Sequence, residues 1–221
     1  MFTSILAGTN ELLTMDLPGH GENAQISGSL DEIAQMILSS VPDEEFVLGG
    51  YSFGGRTALH VALAAPERVR GLVLLSATRG IHDEIERVQR RDRDNQLANH
   101  IEDVGASQFL EEWLSQPMFA SLPHDPTERH RRSTNASGLA NSLRYAGTGT
   151  QRWLGDDVEL LTMPALCMAG EMDHKFTAEA HALSQSMPHA ALRILPGLGH
   201  AAHLEDPQTV AQVVDEFIEG L

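Results

Sequence analysis

Apolar residues in the first third of the chain come in short blocks separated by glycine-rich corners. Leu12-Leu13-Thr14-Met15-Asp16-Leu17 reads as a short buried strand, stopped by Pro18-Gly19-His20-Gly21. From Ser29 to Ser40 the spacing becomes helical, with Leu30, Ile33, Ile37 and Leu38 on one face. Ser29 with Glu32 three residues on is a capping-box start. Phe46 to Gly50 predicts a second buried strand, Phe53 to Ala65 a helix ended by Pro66, and Val69 to Ser76 a third strand. From about Gly80 to Thr150 the chain turns polar and charged, with helical periodicity and almost no β-branched runs. The earlier pattern then resumes: a strand at 164–169, a helix at 177–187, a strand at 191–195 and a closing helix at 207–219. Apolar strands alternating with helices indicate right-handed crossovers and an α/β fold, a mostly parallel sheet flanked by helices. The expected division is a core of residues 1–79 and 151–221, with a helical cap inserted at 80–150.

Charge and composition narrow the function classes. The 221 residues include 31 acidic and 15 basic side chains, a formal charge of -16, with no compensating basic block. A nucleic-acid backbone or an anionic membrane surface is therefore an unfavourable partner. The lone cysteine, Cys167, can form neither an internal disulfide nor a paired-thiolate zinc site, and inside a strand it reads as a small buried apolar residue. No apolar run reaches the roughly 18 residues that span a bilayer, and residues 1–8 lack a positive leader region. A cytoplasmic protein of one domain plus its insert is expected, with its oligomeric state left open.

Gly50-Tyr51-Ser52-Phe53-Gly54 fits G-x-S-x-G, and its position between a strand and a helix gives the pattern its weight. A sharp turn there crowds the backbone, favours glycine on both sides and lifts the serine hydroxyl above the sheet edge. A serine nucleophile needs a base, and the base needs a carboxylate to fix its tautomer. The strand at 164–169 runs into Gly170-Glu171-Met172-Asp173, and the strand at 191–195 into Gly197-Leu198-Gly199-His200. The order Ser52, Asp173, His200 is the one this architecture uses, and each group follows a strand's C-terminal end. Glu171 competes for the acid and His203 for the base. Only neutral imidazole can take the serine proton, so activity is expected to fall on acidification.

The elbow, Asp16 to Gly21, the Gly-Glu-Met-Asp corner and Gly197 to Pro207 together resemble the α/β-hydrolase superfamily. Gly50 to Arg56, Trp113 to Leu122, Ser142 to Gln151 and Ala169 to Phe176 narrow the likeness, from Leu12 onward. They resemble the 2-succinyl-6-hydroxy-2,4-cyclohexadiene-1-carboxylate synthases, pyruvate-eliminating lyases of menaquinone biosynthesis. That resemblance implies a small polyanionic substrate, no metal and no nucleotide or other cofactor. Ser52 would act as a general base prepared by His200 and Asp173, with the Phe53 N–H in the oxyanion hole. Arg56 would supply a carboxylate fork, Lys175 a further charge, Tyr51 a phenolic hydrogen bond and Trp113 an apolar wall. The competing readings of the last group are a solvated Arg56, a surface Lys175 and a Trp113 that merely fills the insert core. A carboxylesterase or other small-molecule hydrolase is the alternative activity.

Two departures bear on that expectation. The superfamily strand ending in His-Gly-Phe, which supplies the second oxyanion N–H, would precede Leu12 by more residues than are present. Losing one such donor typically costs about 10²–10³ in rate. The first explanation is an internal Met taken as the start; the others are a truncation that rearranges the sheet and a weakened relative that only binds. The second departure is Ser76-Ala77-Thr78-Arg79-Gly80-Ile81 where the family often has Ser-Pro-Gly-Leu, which sets Arg79 near the pocket mouth.

Overall fold

The computed structural model describes residues 2–123 and 135–221; residues 124–134 of the insert lie outside the described residues. Four strands, β1 (Phe46–Tyr51), β2 (Val69–Leu75), β3 (Ala165–Gly170) and β4 (Ala190–Leu195), form one sheet in the order β1-β2-β3-β4. Every pairing is parallel, with Leu72 opposite Ala165 and Ala165 opposite Ala190. Parallel neighbours need a crossover, and the chain supplies helices for it: α3 (Phe53–Ala64) after β1 and α7 (His174–Ser186) after β3.

Both faces of the sheet are covered, as the unbroken apolar strands require. Leu72, Leu74 and Cys167 face one core with Leu59 and Leu183 from α3 and α7. Val73, Leu75, Leu166 and Met168 face the other, closed by Ala202 of α8 (Ala202–Glu205), by Val210 and Val214 of α9 (Pro207–Glu219) and by Leu6 of α1 (Phe2–Leu6). Burial lifts the Cys167 thiol to about 12, so it stays an inert apolar filler. Helix α2 (Leu30–Ser40) lays Leu30, Ile33 and Ile37 against Val61 of α3. Its capping box is formed: Glu32 N–H donates to Ser29 Oγ at 3.3 Å, and Ser29 N–H to Glu32 Oε2 at 2.7 Å.

The sequence pattern fails at Leu12 to Leu17. These residues form no strand, and Leu12 and Leu13 are 40% and 62% exposed. An apolar run becomes a strand only with a ladder beside it, and β1 is the sheet edge on this side among the described residues. Residues Phe2–Leu6 are helical and pack on α9 instead. The helix expected from 177 begins three residues earlier, because Asp173 caps it by accepting the Phe176 N–H at 3.3 Å.

In the insert, α4 (Glu84–Val104), α5 (Ala106–Leu114) and α6 (Ala136–Ala146) gather Ala98, Ile101, Phe109 and Ala140 into an apolar cluster of their own. Asp94 ties this unit to the chain that returns to the core. It accepts from Arg90 Nε at 2.8 Å and from the Gly149 N–H at 3.1 Å. No helix among the described residues is long and apolar enough to cross a membrane.

Candidate active site

Ser52 stands between β1 and α3 with φ 51° and ψ −106°, a conformation that non-glycine residues seldom adopt. Its N–H donates to the Leu75 carbonyl at 2.9 Å, which anchors the turn to β2. Crowding around it differs from the simple reading of the motif. A Cβ on Gly50 would collide with the Gly54 carbonyl, and one on Gly55 would come 2.7 Å from the Ala77 Cβ, whereas Gly54 faces open space. The tight approaches are therefore at 50 and 55, where the start of α3 passes over its neighbours.

Three strand ends deliver three functional groups to one place. His200 Nε2 lies 3.2 Å from Ser52 Oγ, and His200 Nδ1 lies 2.6 Å from Asp173 Oδ2. With its hydrogen on Nδ1, the imidazole donates to Asp173 and accepts from the serine hydroxyl. The competitors are engaged elsewhere. Glu171 accepts the Gly197 N–H at 2.9 Å, and the His203 ring packs 4.4 Å from Tyr51 and 5.7 Å from Phe2. His200 is 3% exposed. Its ring is enclosed by Phe176 at 4.6 Å, Tyr51 at 5.2 Å and Phe119 at 6.0 Å between centroids.

Phe53 opens α3, so its N–H belongs to the first helical turn, for which the helix supplies no acceptor. An N–H at this position needs an acceptor from outside the helix. Tyr51 contributes its ring to the wall around His200 and His203. Trp113 stacks on Phe109 at 5.7 Å and meets Phe119 at 6.0 Å, so it belongs to the insert core and reaches the site through Phe119. Phe119 and Phe176 lie within the Trp113–Leu122 and Ala169–Phe176 stretches that carry the resemblance, but their apolarity alone assigned them no role at the site.

Arg56 is 9% exposed, so the solvated alternative does not hold. Its Nη1 donates to the Ala146 carbonyl at 2.8 Å and to Gln151 Oε1 at 3.3 Å, and its guanidinium lies over the Phe53 ring at 5.2 Å. No ion pair of Arg56 within 4.0 Å occurs among the described residues. Burial, aided by the Arg90 charge and opposed by Asp94, lowers its pKa to about 10, which still leaves it charged at neutral pH. Lys175 is exposed as a residue, but its ammonium lies over the Phe176 ring at 5.3 Å. Partial desolvation and then Arg90 lower its pKa, against Glu179 and Asp173. Arg90, on α4, thus acts on both other cations. Its only sequence signal was an arginine-rich helical run.

Arg79, expected at the mouth, is committed elsewhere. It lies over Trp153 at 5.0 Å and donates to Ser186 Oγ at 3.3 Å, beside Glu179. Among the described residues no group of three or more His, Cys, Asp or Glu could hold a metal ion.

Comparison with known proteins agrees with this architecture. Residues 9–207 match the family described as alpha/beta hydrolase fold. A Bacillus subtilis (strain 168) protein assigned as 2-succinyl-6-hydroxy-2,4-cyclohexadiene-1-carboxylate synthase is 36% identical over 96% of this chain and 82% of its own. The Serratia proteamaculans (strain 568) protein of that name is 32% identical over 93% of this chain and 82% of its own. Among solved structures, MenH from S. aureus superposes with a TM-score of 0.87 at 30% identity, over 94% of this chain and 82% of that one. A thermophilic esterase from Thermogutta terrifontis shares the fold, with a TM-score of 0.76 at 22% identity over 93% and 78% of the two chains. The chain belongs to the α/β-hydrolase fold family and, within it, to the 2-succinyl-6-hydroxy-2,4-cyclohexadiene-1-carboxylate synthases.

Proposed function

We propose that the protein is a carbon–oxygen lyase that eliminates pyruvate from a small polycarboxylate in menaquinone biosynthesis, acting in the cytoplasm. Ser52, His200 and Asp173 are its catalytic residues, and Phe53 supplies an oxyanion donor. The observation that carries the proposal is the hydrogen-bonded relay, with Ser52 Oγ 3.2 Å from His200 Nε2 and His200 Nδ1 2.6 Å from Asp173. Family membership selects elimination over ester hydrolysis as the use of that relay.

In this reading His200 takes the hydroxyl proton, and the Ser52 oxygen removes a proton from a ring carbon of the substrate. The electron pair left on carbon forms a ring double bond and the carbon–oxygen bond to the enolpyruvyl group breaks. The departing enolate is protonated to pyruvate. Asp173 holds the imidazole tautomer and stabilises the imidazolium. Substrate carboxylates approach the cations Arg56, Arg90 and Lys175, while Phe119, Phe176 and Trp113 keep water out. Tyr51 supports the ring of the base and is within the set that touches substrate. The described helices of the 80–150 insert, α4, α5 and α6, form a cap over this site.

The test is pyruvate release from the succinylated enolpyruvyl precursor, beside hydrolysis of a short-chain aryl ester. Pyruvate release that Ser52→Ala lowers by at least about 10³ supports the lyase. Fast ester turnover without pyruvate would assign a carboxylesterase instead. Equal inertness of wild type and Ser52→Ala, with binding of a dicarboxylate by both, would assign a binding protein.

A further inference from the structure

Ser52 and Ser76 are the two non-glycine residues with positive φ among the described residues. Ser52 has its explanation in the elbow; Ser76, at φ 50°, lies outside the relay and is fully buried. A left-handed serine is held there against its own preference, which directs attention to what the turn delivers. At the end of β2 the Ser76 N–H donates to the Met168 carbonyl at 2.8 Å, and its hydroxyl donates to the His200 carbonyl at 3.0 Å. The preceding residue, Leu75, accepts the Ser52 N–H at 2.9 Å. Two consecutive residues of one strand end therefore hold the backbones of the serine and of the imidazole that faces it.

Two other fastenings of this loop grip residues before His200. Gly199 N–H donates to Glu205 Oε2 at 2.7 Å, and Met172 N–H to the Leu198 carbonyl at 2.9 Å. Ser76 alone among these reaches the peptide of His200 itself. The Oγ–Nε2 separation of 3.2 Å sits at the upper edge of a useful hydrogen bond, so a small retreat of His200 would break it.

We propose that Ser76 is a positioning residue, whose hydroxyl sets the distance between Ser52 and His200. The proposal rests on the reading of these two residues as catalytic. Its test compares Ser76→Ala and Ser76→Gly in steady-state pyruvate release, with Ser52→Ala alongside. Both Ser76 variants lose the hydroxyl, but only glycine is at ease at positive φ. The expected result is a fall in kcat of about 10- to 100-fold in both variants, with KM within about twofold of wild type, because misplacement of a catalytic group acts on the chemical step. Ser76→Gly is expected to melt no lower than Ser76→Ala, so it decides the matter even if the alanine variant is poorly folded. Wild-type kcat in Ser76→Gly, or a loss confined to KM, overturns the proposal. Undiminished pyruvate release by Ser52→Ala would instead sink the catalytic reading, and this proposal with it.

Discussion

Arg56 is a cation taken out of water whose hydrogen-bond partners among the described residues, the Ala146 carbonyl and Gln151 Oε1, are both neutral. Burying a guanidinium without a carboxylate beside it is costly, and burial is the main reason its pKa falls to about 10. Such a charge is useful where an anion arrives to complete it. Arg56 also bolts α3 to the end of α6, so its loss has two separable consequences. Arg56→Met leaves the Ala146 carbonyl without its donor, at about 1–3 kcal/mol. For a chain of this size that is about 2–4 °C of melting temperature per kcal/mol. It should also raise KM for the polycarboxylate by more than about tenfold, as loss of a charge-assisted fork would. KM for an uncharged aryl ester should change much less. Calorimetry reads the first effect and paired kinetics the second; equal rises in the two KM values would confine Arg56 to a structural role.

Between elements, the α2–α3 contact carries a pH-sensitive group. His60 of α3 is 3% exposed, its Nδ1 lies 2.6 Å from Asp31 Oδ1 at the start of α2, and its Nε2 is buried without a partner. Desolvation lowers its pKa, with help from Arg152 and Arg56 and against Asp31. The unfolded chain therefore takes up a proton at His60 before the folded protein does. The stabilising contribution is complete above about pH 6.5 and is lost as pH falls towards the folded value, by at most about 1.4 kcal/mol per pH unit. Melting temperature should drop between pH 7 and pH 5, and the drop should be shallower in His60→Leu. Parallel slopes in the two proteins would exclude His60 as the source. The α2 helix itself was readable in advance, since spacing and capping box are local. The elbow and the two loops bearing Asp173 and His200 were readable for a related reason: glycine corners after apolar strands mark strand ends, and parallel strands bring those ends to one edge. What depends on a distant neighbour was not readable. Leu12 to Leu17 has a strand's composition but no adjacent ladder. Arg56 has the right position, but its bond to Ala146, 90 residues away, has no local signature. Phe119 is one apolar residue in a charged insert until folding sets it against His200.

At the scale of the whole molecule, that unpaired stretch leaves β1 without a ladder partner on one side among the described residues. β1 is terminal in the strand order among the described residues, and Leu12 and Leu13, earlier in the chain, are 40% and 62% exposed. A strand without a ladder partner is a template for pairing with another chain, and exposed leucines add apolar surface to such contact. The formal charge of -16 opposes such contact. Which effect wins is set by ionic strength, because the Debye length shrinks from about 30 Å at 0.01 M salt to about 3 Å at 1 M. At 0.01 M two copies repel over distances comparable with their own radius; near 1 M the repulsion vanishes before the edges meet, while hydrophobic attraction remains. Weight-average mass measured by light scattering should therefore rise with salt at fixed protein concentration. Leu13→Lys, which adds a charge and removes exposed apolar surface, should hold the mass near the monomer value of 24.1 kDa throughout. A wild-type mass indifferent to salt, or a Leu13→Lys protein that associates just as readily, would show that this exposed leucine surface is not what brings copies together.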